Sequence, residues 1–268
     1  MVGWVPMNTD KIARLQEFTL LFDTAWATYK LYFIRLIKIN WIPVAVISLL
    51  FASFSFIGEF LNIADFLKPE DIIQVLVLAF GASVLVVGIS SLNYIAQIKT
   101  LSSEVPISSA SAYQFAAKNL FPYIWVIILA SFFIIVGLIL LIVPGIVVAV
   151  WLAFTSFVLI EGKAKGLDAL RVSKRYVRGI WLQVLIRFLS AVLLGMLVGS
   201  AFAIFLDFIE NIFGVNMYVE NILNLMYQLI VAPYFVVYGY ELYKDVVKAN
   251  QEYSAKSDGV SGELVTNA

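Results

Sequence analysis

The chain has 268 residues, of which 62% are hydrophobic and 13% charged, against about 25% charged in soluble domains; so little polar surface cannot cover a water-soluble globule. Its 18 basic and 18 acidic residues cancel, which leaves no global basic field to hold nucleic acid. Cysteine and histidine are both absent, which removes disulfides, thiol nucleophiles, imidazole bases and the usual zinc, haem and copper ligands, so no cofactor is implied.

In chain order, Leu15, Phe18, Phe22, Trp26, Tyr29 and Phe33 recur every three or four residues with Arg14, Glu17, Asp23 and Lys30 off the stripe, which predicts an amphipathic helix at a membrane surface. The charges in this stretch, Asp10 and Lys11 included, are wrong for a cleavable secretory signal. Six apolar runs follow, each expected to cross the roughly 30 Å of hydrocarbon as a helix: 41–58, 72–97, 121–143, 146–160, 188–206 and 221–243. The turn between the third and fourth is expected at Val143-Pro144-Gly145-Ile146, and further amphipathic stretches precede spans 3 and 5, at about 107–119 and 166–178. The polar tail 249–268, rich in Ser, Gly, Asp, Glu and Asn, is expected to be disordered. The expectation is an all-α, polytopic helical membrane protein, a single integral domain over 1–248 with six transmembrane helices in three hairpins and cytoplasmic amphipathic helices.

Charge orients this scheme. Of the 18 Lys and Arg residues, 17 fall in segments on one side and Lys68 alone on the other, which places both termini in the cytoplasm by the positive-inside rule. Three of these basic residues recur as anchors three positions before an aromatic, at the entrances to spans 1, 3 and 5: Lys38 with Trp41, Lys118 with Phe121 and Arg178 with Trp181. The pattern reads as a unit of interfacial helix, anchor and hairpin used three times.

Polar residues inside the spans are few. Arg187 and Asp207 stand at opposite ends of span 5 and read as side chains snorkelling to the interface; Glu161, beside Lys163 and Lys165, reads as a member of an interfacial ion pair. Gln74, Asn93 and Gln97 on span 2, with Asn224 and Gln228 on span 6, read as interhelical hydrogen-bonding groups, with a polar cavity as the other reading. Ala191, Gly195, Gly199 and Ala203 recur every four residues along span 5, a surface for close helix packing within the chain or for a homo-oligomer. Pro233 is expected to bend span 6 near Ile230.

The densest basic cluster is Lys163, Lys165, Arg171, Lys174, Arg175 and Arg178, with Leu167, Leu170, Val172 and Tyr176 interleaved. Beside a membrane it is a candidate contact for anionic lipid, at about 1 kcal/mol per basic residue. No nucleophile–base pair, phosphate loop or intramembrane carboxylate pair is present, so no catalytic residue is expected.

Val143-Pro144-Gly145-Ile146, Glu161, Ala169-Leu170, Ser173, Gly179-Ile180-Trp181, Ala232-Pro233 and Leu242-Tyr243-Lys244-Asp245 together resemble the membrane domain carried by some bacterial glycerophosphodiester phosphodiesterases and by related six-span prokaryotic membrane proteins. The resemblance implies topology only. In those enzymes the activity belongs to a separate soluble barrel, for which the segments outside the spans are too short. The functional expectation is therefore a non-enzymatic, lipid-associated accessory or scaffold protein of the cell membrane with membrane lipids as partners, and the alternative is a small transporter of hydrophobic or lipid-like solutes.

Overall fold

A computed structural model describes residues 15–60, 69–214 and 217–266, with side chains described at 15–50, 53, 73, 75–214 and 219–252. Lys68, Asp10, Lys11, Arg14 and the side chain of Gln74 lie outside them. The described residues form eight helices and no strand: α1 (Phe18–Phe60), α2 (Pro69–Ser102), α3 (Ser109–Leu140), α4 (Ile142–Leu152), α5 (Thr155–Ile160), α6 (Leu167–Val177), α7 (Trp181–Phe213) and α8 (Met217–Thr266). Six stretches are long and apolar enough to cross a membrane, one each in α1, α2, α3, α7 and α8 and a sixth over Ile142–Ile160, made by α4 and α5 together. This is an all-α polytopic membrane protein.

Two of the three expected interfacial helices are not separate. α1 runs unbroken through Lys38 and Trp41, and α3 through Lys118 and Phe121. At 1.5 Å per residue the 43 residues of α1 extend about 65 Å, twice the hydrocarbon thickness, so its amphipathic part is the first half of a single long helix. Only the third copy breaks. There the residue after the basic anchor is Gly179, whose φ of 94° ends the helical path, where the other copies carry Ile39 and Asn119. α8 keeps a helical backbone through Thr266, and its turn at Ala249 and Asn250 is packed, Ala249 being buried and Asn250 Nδ2 donating to the Tyr176 carbonyl at 2.8 Å.

The turn between spans 3 and 4 is tighter than its Pro-Gly pair suggests. Leu141 alone, in an extended conformation, separates α3 from α4, and Val143-Pro144-Gly145 lies inside the first turn of α4. A proline is tolerated there because the first amides of a helix have no intrahelical acceptor. Glycine is required by contact: a Cβ on Gly145 would fall 2.5–2.7 Å from atoms of Leu138, and one on Gly137 would lie 3.0 Å from the Gly145 Cα.

The chain divides into two compact units. The first comprises the described residues of Met1–Ala25, Trp125–Leu193 and Tyr238–Ala268. Its core includes Val126 and Ala130 of α3 and Leu170 of α6, with Leu152 and Leu159 of α4 and α5 packed against them. Phe22 of α1 stacks on Tyr238 of α8 with ring centroids 4.9 Å apart, so this part of the aromatic stripe is turned toward protein.

The second unit comprises the described residues of Trp26–Ile124 and Leu194–Val237. In it Trp26 and Tyr29 pack on Tyr234 of α8, and the Tyr29 hydroxyl donates to the Ile230 carbonyl. Pro233 leaves the Leu229 carbonyl, four residues back, without its amide donor, and the Tyr29 bond falls on the next carbonyl of the same turn rather than on the freed one.

Candidate functional site

The basic cluster is organised by α6. The loop before it turns through Gly162 and Gly166, at φ 73° and 54°. Within α6, Ala169, Leu170, Ser173 and Val177 share one buried face, packed on α4 and α5. Leu170, one of the apolar residues interleaved with the basic cluster, thus packs into the protein core, and the charged face is the one left outside.

Ser173 secures that packing. The path from α4 to α5 breaks at Ala153-Phe154, and the Ser173 hydroxyl donates to the Trp151 carbonyl at 2.7 Å while accepting from the Phe154 amide at 3.2 Å. One buried side chain thus serves two backbone groups at the break, which otherwise would face a desolvated interior unpaired.

The six basic residues separate by partner. Lys163 Nζ pairs with Glu161 Oε2 at 2.7 Å and donates to the Tyr243 hydroxyl at 2.9 Å. Both oxygens of Glu161 are engaged: Tyr240 donates to Oε1 and Tyr243 to Oε2, both at 3.0 Å. Lys174 lies over the Trp151 ring at 4.3 Å from its centroid. Arg171 pairs with Asp168 at 2.9 Å, but both side chains are largely exposed and the pair contributes little. Lys165, Arg175 and Arg178 are exposed and make no ion pair among the described residues.

The same unit holds a second polar group. The Gln16 backbone is held at both of its polar atoms: its N–H donates to the Asp245 carboxylate at 3.1 Å, and its carbonyl accepts from Arg187 Nη2. Arg187 is buried, and its own carbonyl accepts from the Tyr238 hydroxyl at 3.0 Å. The expectation that Arg187 snorkels to the interface is therefore corrected: its guanidinium serves main-chain carbonyls inside the protein. Asp207, at the other end of α7, is exposed.

In the second unit, Asn93 and Gln97 of α2 both donate to Asn40 Oδ1 of α1, at 2.7 and 2.8 Å. Tyr113 of α3 donates to the Ile39 carbonyl at 2.7 Å and contacts Asn93 Oδ1 at 3.3 Å. These are the interhelical bonds expected of Asn93 and Gln97. A cavity of about 270 Å³ is lined by Ile42, Pro43, Val46, Ile89 and Tyr113; neither Asn93 nor Gln228 lines it. The small-residue stripe of α7 is covered from within the chain where its glycines lie. A Cβ on Gly195 would meet the Phe235 ring at 3.1 Å, and one on Gly199 the Tyr227 hydroxyl at 3.5 Å. Ala191 is buried and Ala203 exposed. The anchor residues Lys38, Trp41, Lys118 and Phe121 are exposed, and Trp181 is half-buried.

Sequence reasoning missed Asn40, Tyr113, Gln16 and Tyr240. Asn40 carried a signal, being a polar residue at the mouth of span 1 beside an anchor; the others form ordinary sequence contexts whose partners lie far along the chain. Comparison with protein-family models, curated proteins and solved structures returns no match to this chain.

Proposed function

We propose that this multi-pass membrane protein is a non-enzymatic, lipid-associated accessory protein of the cell membrane, with both termini cytoplasmic, and that the outer face of α6 gathers anionic headgroups at the inner surface. The observation that carries the reading is the division of labour at α6. Its apolar face is committed to α4 and α5, while Arg175 on it and Lys165 and Arg178 just beyond its two ends are exposed and make no ion pair among the described residues. Unpaired cations next to a membrane surface are attracted to anionic lipid at about 1 kcal/mol each, so the three together supply about 3 kcal/mol, on the order of a hundredfold in local lipid enrichment. The residues shared with the phosphodiesterase membrane domain support kinship with that domain as part of the same proposal, because Gly145, Glu161, Ser173, Tyr243 and Asp245 each hold a specific internal contact.

The test is retention of anionic lipid by the full chain, extracted from phosphatidylcholine bilayers doped with phosphatidylglycerol and weighed by native mass spectrometry. Lys165→Gln/Arg175→Gln/Arg178→Gln should lose most of the retained phosphatidylglycerol, and Lys118→Gln should not. Equal retention in the triple variant and the wild type would sink the proposal.

A further inference from the structure

The hairpin of α3 and α4 turns on apolar residues alone. No charged residue stands between Lys118 and Glu161, and between Ser131 and Thr155 the one polar side-chain group is the Trp151 indole N–H. At the tip, residues 139–143 are Ile, Leu, Leu, Ile and Val, each 67–79% exposed, so little of the protein covers them. The segments that close the other two hairpins carry charges suited to water: Glu59, Asp65 and Asp71 in one, Asp207, Glu210 and Glu220 in the other. Five uncovered aliphatic side chains in a row form the kind of patch that surfaces in water avoid.

Length sets how far the tip can reach. The returning limb, Ile142–Ile160, has 19 residues and rises at most about 28 Å at 1.5 Å per residue, against roughly 30 Å of hydrocarbon. It ends at Glu161, Lys163 and the exposed Lys165, which place the polar layer of one membrane face at that end. The break at Ala153-Phe154 and any tilt shorten the rise, so the tip stops below the headgroups of the opposite face. The backbone suits that depth, where unbonded amides and carbonyls are costly. Leu141 alone lies outside the two helices; its N–H donates to the Gly137 carbonyl at 3.1 Å, and its carbonyl accepts from the Gly145 amide at 3.2 Å. Pro144 removes one more amide that the first turn of a helix leaves without an acceptor. The close approach of Gly137 to Gly145 makes so short a reversal possible.

We propose that the tip of the α3–α4 hairpin, residues 139–143, is seated among the phospholipid acyl chains of the leaflet opposite Glu161 and does not reach water. Two hairpins then open to water on that face, and this one closes inside the bilayer as an aliphatic wedge beneath the headgroups. The surface uses none of the α6 residues, so it stands or falls apart from the anionic-lipid proposal.

Because the chain has no cysteine, a single nitroxide label can be attached in each of Leu141→Cys, Glu220→Cys and Lys165→Cys. Each full-length variant is reconstituted in phosphatidylcholine vesicles. Power-saturation electron paramagnetic resonance then reads the collision of its label with oxygen, which concentrates in hydrocarbon, and with a water-soluble nickel chelate present on both sides of the membrane. The ratio of oxygen to nickel collision should be several-fold higher at 141 than at 220 or 165. Ile139→Cys repeats the reading at the tip if Leu141→Cys does not fold. A ratio at the tip equal to that at 220 would place it in water and overturn the proposal. A tip label shielded from both reagents would place it against protein, a second copy of the chain included, and overturn it as well.

Discussion

Ser173→Ala removes one oxygen from the middle of the first unit, and the structure fixes what that costs. The hydroxyl serves the Trp151 carbonyl and the Phe154 amide at the α4–α5 break, and Ser173 is 0% exposed. Deleting it leaves two buried backbone groups unpaired at about 1–3 kcal/mol each, offset in part because the hydroxyl itself no longer needs a partner, for a net loss of about 2–4 kcal/mol. In a chain of this size that corresponds to a fall in Tm on the order of 5–10 °C. Thr155, next to Phe154 and 1% exposed, provides the opposite sign: its hydroxyl makes no hydrogen bond among the described residues, so Thr155→Val should be neutral or stabilising. Thermal unfolding in detergent, followed by intrinsic fluorescence with Trp151 as a reporter at the site, separates the two. If both variants moved Tm alike, or Ser173→Ala left it unchanged, the argument that Ser173 completes the broken helix would be refuted.

Gly145→Ala should destabilise by about 1–3 kcal/mol, because the added Cβ collides with the Leu138 backbone as well as its side chain. Gly88→Ala on α2, where nothing lies within 4 Å, should instead stabilise by about 0.5–1 kcal/mol, and the same melts compare them. The proposed orientation is testable by labelling, since the chain has no cysteine of its own: with sealed vesicles of native orientation, Glu220→Cys should react with an impermeant maleimide added outside and Lys165→Cys only after lysis, and the reverse pattern refutes it.

The spans were legible because a membrane imposes its thickness on the chain, and an apolar run of sufficient length has few other uses. The ends of the helices were not. Pro144-Gly145 reads as a turn, yet a proline is at home in the first helical turn, so α4 begins at Ile142 and the span that looked short, 146–160, is the 19 residues Ile142–Ile160. The junctions at Lys38, Lys118 and Arg178 look alike to a pattern of basic and aromatic residues, but whether the helix continues depends on the residue that directly follows the basic one; glycine is there only in the third copy. The basic cluster was visible as composition and an ion pair of Glu161 with a neighbouring lysine was expected, while the choice of Lys163 and the two tyrosines that complete its site were not. Tyr240 and Tyr243 stand about eighty residues further along the chain.

The contacts also bear on where function should be sought. A residue whose hydrogen-bonding capacity is already used inside the protein must break a bond before it can hold a ligand, and in an apolar interior that exchange is costly. Glu161 has both oxygens occupied, Ser173 both gives and accepts, and Asp245 and Arg187 bind the N–H and the carbonyl of one residue, Gln16. These are the residues a motif search would select first as a polar site, and their bonds tie α4, α5, α6 and α8 of one unit together. Capacity left unused lies in the exposed cations at and around α6, Lys165, Arg175 and Arg178, which can be met only by a partner outside the protein surface; anionic lipid is the partner proposed for them.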